Sequence, residues 1–257
     1  MAGRRRRRTR AVAAMATAVA GAIGGCSSGS DKGSSSDGSK SGGDVYVAVG
    51  ASETVGFGAD RPETQAWPAV LRKEALRKAK YVNLGIPGAT VATALEQELP
   101  KAVELSPTIV TVWLNVNDLI ARVPLATYES QLTQLVRGLR RGGATRVLVA
   151  NTPPLDRLPA YLACLPDPPP ASAAKCPLPA GAAPSPELVR LGVSAYNRII
   201  AKVAAAEGAE VVDLHSAGLA ARSKNQEAAL FGTDGFHPST AGHKAVAAAF
   251  AEAIEAK

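Results

Sequence analysis

The sequence predicts a three-layer α/β/α sandwich, with a central, mostly parallel sheet of about five strands between two layers of helices. Three observations predict it. Short apolar runs alternate with longer amphipathic stretches along residues 44–257. Most of the short runs are apolar throughout rather than alternating, as strands buried on both faces are. Glycine, serine, asparagine and proline gather at the ends of these runs, where an open sheet turns back through its helices.

The first run, "DVYVAVG" (44–50), is rich in valine and bounded by glycines, and reads as a buried strand. "ETQAWPAVLRKEALRKA" (63–79) spaces Trp67, Val70, Leu71, Ala75 and Leu76 as one helical face, with basic residues opposite. "YVNLG" (81–85) is a short strand. "VATALEQELPKAVEL" (91–105) is helical, and Pro100 should break or bend it. "TIVTVWL" (108–114) is a strand apolar on both faces. "ATYESQLTQLVRGLRRGG" (126–143) is an amphipathic helix closed by glycines, and "TRVLVAN" (145–151) is another apolar strand. Residues 152–184 are rich in proline and alanine with little periodicity, and so long an insertion is often functional. "PELVRLGVSAYNRIIAKVAAAEG" (186–208) is a helix, "AEVVDL" (209–214) a fifth strand, and "STAGHKAVAAAFAEAIEA" (239–256) the last helix.

In open parallel sheets, sites form beyond the carboxyl ends of the strands. Gly50, Ala51 and Ser52 follow the first strand, and "GIPGAT" with Gly85 and Gly88 follows the second. "NVNDL" with Asn115, Asn117 and Asp118 follows the third, and "TPPLD" the fourth. After the fifth strand and a connection comes "GTDGFHPST", with Asp234 and His237. Acyl transfer needs such a set: a nucleophile, a base, an acid to orient the base, and donors for an oxyanion.

Four blocks in this order resemble the SGNH/GDSL hydrolase superfamily of serine esterases and lipases, over nearly the whole of residues 44–257. "VGAS" resembles the first block, with Ser52 at the nucleophile position. "NLGIPGAT" resembles the second, with Gly88 where an amide faces the oxyanion. "LNVNDL" resembles the third, with Asn117 where a side-chain amide does the same. "DGFHP" resembles the last, with Asp234 and His237 three apart. The resemblance implies the catalytic set Ser52, Asp234 and His237, and an oxyanion hole from Ser52, Gly88 and Asn117. It requires no cofactor and no metal. Two positions depart from the pattern: Ala51 stands where the family has Asp, and Asn115 where it often has Gly. Loss of the Asp bears on the rigidity of the loop, and Asn115 should narrow the cleft or add a donor.

Each residue also has a plainer role open to it. Ser52 could cap a helix, Gly88 could serve a turn, and Asn117 and Asp118 could cap the next turn. Asp118 is expected to be structural. Of the three histidines, only His237 has an acid three residues upstream and a proline after it. His243, on the last helix, should pack or cap. Glu53 should point away from Ser52, and Trp67 and Trp113 should be core. A nucleophile elbow would need G-x-S-x-G, and Thr54 stands where its second glycine would.

The formal charge of +7 comes from the first ten residues. They hold six of the 29 basic side chains, and without them the net charge is +1. The folded part therefore has no electrostatic footprint for nucleic acid. A basic arm that binds nucleic acid is the competing reading of the arginines. The uncharged run "AVAAMATAVAGAIGG" then argues for a signal, being too short to span a bilayer as a stable helix. Its end, "IGGC", resembles a lipoprotein signal in which Cys26 is lipidated and becomes the new N-terminus; an ordinary signal cleaved nearby would leave Cys26 a free thiol. Export could run by the general secretory or the twin-arginine route. Residues 26–43 then form a Ser/Gly-rich tether with no apolar side chain to bury, spanning roughly 20–25 Å. Cys164 and Cys176 should form a disulfide in an exported protein, the other reading being two free thiols.

The expectation is thus a serine hydrolase in residues 44–257, anchored by lipid on the outer face of the membrane. It would cleave an acyl or acetyl ester of a lipid, carbohydrate or small molecule through an acyl-enzyme. The alternatives are a non-catalytic binding lipoprotein on the same fold, or an acyltransferase using the same serine. Residues 152–184 are expected to form one wall of the substrate pocket, the other reading being a stability staple packed away from the cleft.

Overall fold

Five strands form one parallel sheet in the order β2-β1-β3-β4-β5. The structure is a computed structural model that describes residues 43–166, 174–176, 178 and 182–256. The signal-like segment, Cys26, nearly all of the tether and part of the 152–184 insertion lie outside the described residues.

β1 (Val45–Gly50) is followed by α1 (Ser52–Val55), α2 (Pro62–Gln65), α3 (Trp67–Glu74) and β2 (Lys80–Asn83). Next come α4 (Val91–Thr93), a π turn (Ala94–Glu98), α5 (Leu99–Glu104) and β3 (Ile109–Trp113). α6 (Val116–Ile120) and α7 (Leu125–Arg140) precede β4 (Arg146–Ala150). α8 (Pro159–Leu162) and α9 (Pro186–Glu207) precede β5 (Glu210–Val212), and α10 (Leu214–Ser223) and α11 (Thr240–Glu255) follow it.

The continuous apolar runs are explained by the two layers they face. Val47, Val49, Val110, Val112, Val147 and Val149 pack with residues of α7 and α9. Tyr46, Ala48, Leu148 and Ala150, one position out of phase, pack with Trp67 of α3 and Phe250 of α11. Strand side chains alternate faces, so both phases must be apolar when both faces are covered. Trp67 and Trp113 are core residues, and Trp67 stacks on Phe250 at 4.4 Å between ring centroids. Full burial of side chains of this kind contributes about 1.5–3 kcal/mol each.

Helix interruptions follow the prolines. The stretch read as one helix over 63–79 is two, α2 and α3, separated at Ala66, whose ψ of 140° is extended. Pro68, in the first turn of α3, has no N–H to give an earlier turn. Ahead of Pro100, also in a first turn, the chain widens into the π turn, with the Leu99 N–H reaching the Ala94 carbonyl. The expected break is therefore a widened turn that lets the helix resume. α10 was not expected; its N-terminus is capped by Asp213, whose carboxylate accepts the Ser216 N–H.

β1 lies between β2 and β3, so the strand order reverses direction between β1 and β3. Such a switch point opens a crevice at the carboxyl ends of the strands. Ser52 follows one of these two strands and Asn117 the other.

Candidate active site

Gly50 ends β1, Ala51 is extended with φ −102° and ψ −150°, and Ser52 is the first residue of α1. The reversal from strand to helix over one residue leaves Ser52 at the sheet edge, 7% exposed. A Cβ at Gly50 would collide with the Thr54 Oγ1 that folds back over it, which accounts for the glycine.

The partner of Ser52 comes from 185 residues further on: His237 Nε2 lies 2.9 Å from Ser52 Oγ. The turn that carries the imidazole is built by Asp234. Its Oδ1 accepts the N–H groups of Phe236 and His237 at 2.9 and 3.0 Å, and its Oδ2 lies 2.6 Å from His237 Nδ1. Burial pushes the Asp234 carboxyl up, but the bonds from the His237 ring and from the two backbone amides outweigh it, and its pKa is lowered. The carboxylate can only accept, so the proton sits on Nδ1, and Nε2 is left to accept from the Ser52 hydroxyl. The rings of Phe57 and Phe236 flank the imidazole, with centroids 5.4 and 5.0 Å away.

The two neighbouring loops are tied to this edge. The Ile86 N–H donates to the Gly50 carbonyl at 2.9 Å. Gly88, two residues on, has φ +76° and open space where a Cβ would stand. Asn117 Nδ2 donates to the Ala89 carbonyl at 2.9 Å, which joins the loop after β3 to the loop after β2. Asp118 is fully buried, and both its carboxylate oxygens accept the Val91 N–H. Burial pushes its pKa up to about 6, and its role is structural, as expected.

Some neighbours differ from the sequence reading. Asn115 is buried, and one N–H of its Nδ2 donates to the Ala150 carbonyl at 3.3 Å. Glu53 does not point away from the serine. It is 7% exposed, and burial raises its pKa against the pull of its own N–H, of His237 and of Ser52. Helical side chains tilt toward the N-terminus, where first-turn N–H groups await acceptors, and this turns Glu53 back toward Ser52. His243 packs, as expected: its Nδ1 accepts the Trp67 N–H at 3.3 Å and its Nε2–H donates to the Phe57 carbonyl at 2.9 Å. His215 Nδ1 faces the Thr152 carbonyl at 3.2 Å. Among the described residues, no group of three or more His, Cys, Asp or Glu is placed to hold a metal ion.

The insertion after β4 reaches this region. The Ala160 N–H donates to the Gly235 carbonyl at 3.0 Å, and Ala174 packs within van der Waals reach of the same glycine. Leu155, Leu158, Tyr161 and Phe236 share a small apolar cluster with Val116 of α6. A Cys164–Cys176 disulfide closes the insertion on itself, as the sequence suggested. On the chain-entropy model a loop this short gains about 3 kcal/mol from such a bond.

Residues 48–245 match the sequence profile of the GDSL-like lipase/acylhydrolase family. The chain belongs to that family, and it is an ester-hydrolysing enzyme of the SGNH/GDSL type. Solved structures share the fold. TesA is 21% identical with a TM-score of 0.61, the match covering 83% of this chain and 99% of TesA. A lipase/acylhydrolase from Enterococcus faecalis is 18% identical with a TM-score of 0.61, covering 82% of this chain and 96% of its own. A variant of Axe2, an acetyl-xylooligosaccharide esterase from Geobacillus stearmophilus, is 19% identical with a TM-score of 0.58, covering 83% and 94%. Comparison with curated protein sequences gives no match.

Proposed function

We propose that the enzyme cleaves an acyl or acetyl ester of a lipid, carbohydrate or small molecule through an acyl-enzyme on Ser52. The observation that carries this reading is the unbroken chain of hydrogen bonds from Asp234 through His237 to Ser52. His237 takes the hydroxyl proton as Ser52 Oγ attacks the ester carbonyl. Asp234 holds the imidazole and stabilises its cationic form. The amides of Ser52 and Gly88 and the side chain of Asn117 hold the oxyanion of the tetrahedral intermediate. His237 then protonates the leaving alcohol, and water attacks the acyl-enzyme with His237 again as base. A panel of chromogenic esters of graded acyl length, with a serine-reactive phosphonate, tests the reading. Turnover with a phosphonate adduct on Ser52 is the expected result, and an adduct on any other residue overturns it. The likeness to an acetyl-xylooligosaccharide esterase supports including acetylated sugars in the panel.

One of the two N–H groups of Asn117 goes to the Ala89 carbonyl, so the other remains for the oxyanion. The oxyanion exists only in the transition state, so Asn117→Ala lowers kcat rather than raising KM. The expected loss is about 10²–10³-fold. A pure KM effect in steady-state kinetics would instead make Asn117 a substrate-binding residue.

The signal-like N-terminus and Cys26 support a lipid anchor, with residues 26–43 lifting the enzyme off the outer face of the membrane. Cys26→Ser then releases the protein into the soluble fraction with its turnover unchanged. A variant that still sediments with membranes at high salt would end the lipid-anchor reading.

A further inference from the structure

Glu98 is fully buried and has no part in the mechanism above. It is the last residue of the π turn, and its Oε2 accepts the Gly50 N–H at 2.8 Å, at the end of β1. The Gly50 carbonyl accepts the Ile86 N–H on its other side. Both peptide planes of Gly50 are thereby fixed, two residues before Ser52, while Ile86 stands two residues before Gly88. Ala51, between Gly50 and Ser52, has no polar side chain to hold the turn. The second carboxyl oxygen of Glu98, Oε1, is buried without a hydrogen-bond partner. Such a group is costly to keep, and an apolar residue would fill the space without that cost.

We propose that Glu98 is a positioning residue for ester hydrolysis: it holds the Gly50 amide and so sets where the Ser52 hydroxyl and N–H stand relative to His237 and the oxyanion. The inference rests on the reading of Ser52 as nucleophile. Burial of Glu98 favours its neutral form. Burial pushes its pKa up to about 8, against the opposing pull of the Gly50 N–H and of Lys101. The elements packed around it are otherwise uncharged where they are buried. The π turn contacts β1, α4, α5 and α7, whose buried side chains include Val49 on β1, Val91 on α4, and Leu132, Leu135, Val136 and Leu139 on α7, with the Tyr128 phenol the titratable buried group of α7. Lys101 on α5 is the cation that acts on it, and Asp118, bound to the Val91 N–H, is another buried carboxyl. A glutamate in an unfolded chain titrates near ~4.3. The raised folded value means that stability from this group is full below that pH and is lost as pH rises through about 8.

The experiment compares the full chain with Glu98→Gln and Glu98→Leu. Each is assayed with a chromogenic ester, by its rate of phosphonate labelling at Ser52, and by thermal unfolding between pH 5 and 8. Gln keeps an oxygen for the Gly50 N–H, so kcat and labelling stay within about twofold of wild type. Leu offers no acceptor, so kcat and labelling fall roughly 10–100-fold with KM little changed, as for a small misplacement of reacting groups. Tm of the Gln variant rises above wild type as pH rises from 5 to 8. A folded Leu variant with unchanged kcat overturns the proposal, as does a Gln variant as impaired as Leu. If the Leu variant does not fold, the Gln variant decides: impaired labelling, or the same pH slope of Tm as wild type, overturns it. Wild-type labelling in the same experiment separates the two claims. Its absence at Ser52 defeats the nucleophile reading, whereas normal labelling with an unaffected Leu variant defeats only the role of Glu98.

Discussion

Ser52→Ala removes nearly all ester hydrolysis, a loss of about 10⁴-fold or more in kcat. The substitution deletes one oxygen, the atom 2.9 Å from His237 Nε2. Among the described residues no other group bonds to His237 Nε2, since the imidazole is held by Asp234 and aimed at this hydroxyl. The fold should not change. Ser52 opens α1 without capping it by its side chain, and Ala51, not Ser52, occupies the N-cap. The lost bond costs about 0.5–1.5 kcal/mol of stability. Initial rates with a chromogenic ester, beside a thermal unfolding curve, check both halves. A folded Ala variant with near-wild-type turnover would end the assignment of Ser52.

The architecture was legible because burial on two faces writes itself into consecutive residues: "VYVAV" and "TIVTVWL" allow no solvated face. The ends of the strands were legible because acyl-transfer chemistry asks for few residue types, and Ser52, Asn117, Asp234 and His237 fall one after another on one sheet edge. What the residues around them touch was not legible. Glu98 meets Gly50 from 48 residues away, through a π turn that no periodicity announces. Asn115 reaches the Ala150 carbonyl on the neighbouring strand, a contact no local pattern announces. Glu53 was expected to point away from Ser52, and it is buried at 7% exposure with Ser52 and His237 both acting on its carboxyl. α10 is weakly written in the sequence for a local reason: Gly218 weakens its helical pattern, and its signal is the Asp213 cap.

Asp234→Asn lowers kcat by about 10⁴-fold while leaving the fold in place, and the cause is a proton on the wrong nitrogen. In the wild type, Oδ1 accepts two backbone N–H groups, from Phe236 and His237, and Oδ2 faces His237 Nδ1 at 2.6 Å. An asparagine has one oxygen and one NH₂ in these two places. The two backbone donors claim the oxygen, because an NH₂ turned toward them would set donors against donors. The NH₂ is then left facing Nδ1, which must accept, and the imidazole proton moves to Nε2. A protonated Nε2 cannot take the proton of Ser52, so the base is lost although every atom is nearly in place. The turn survives because its two backbone bonds survive. The variant also loses the pH dependence that the carboxylate gives the wild type. The lowered pKa of Asp234 means that its bonds contribute stability fully above the ordinary Asp value of ~3.9, and that this contribution is lost as pH falls through the depressed folded value. Steady-state kinetics at neutral pH and unfolding curves down to low pH measure both effects. An Asn variant whose kcat stays within about tenfold of wild type would show that Asp234 orients the turn but not the tautomer of the base.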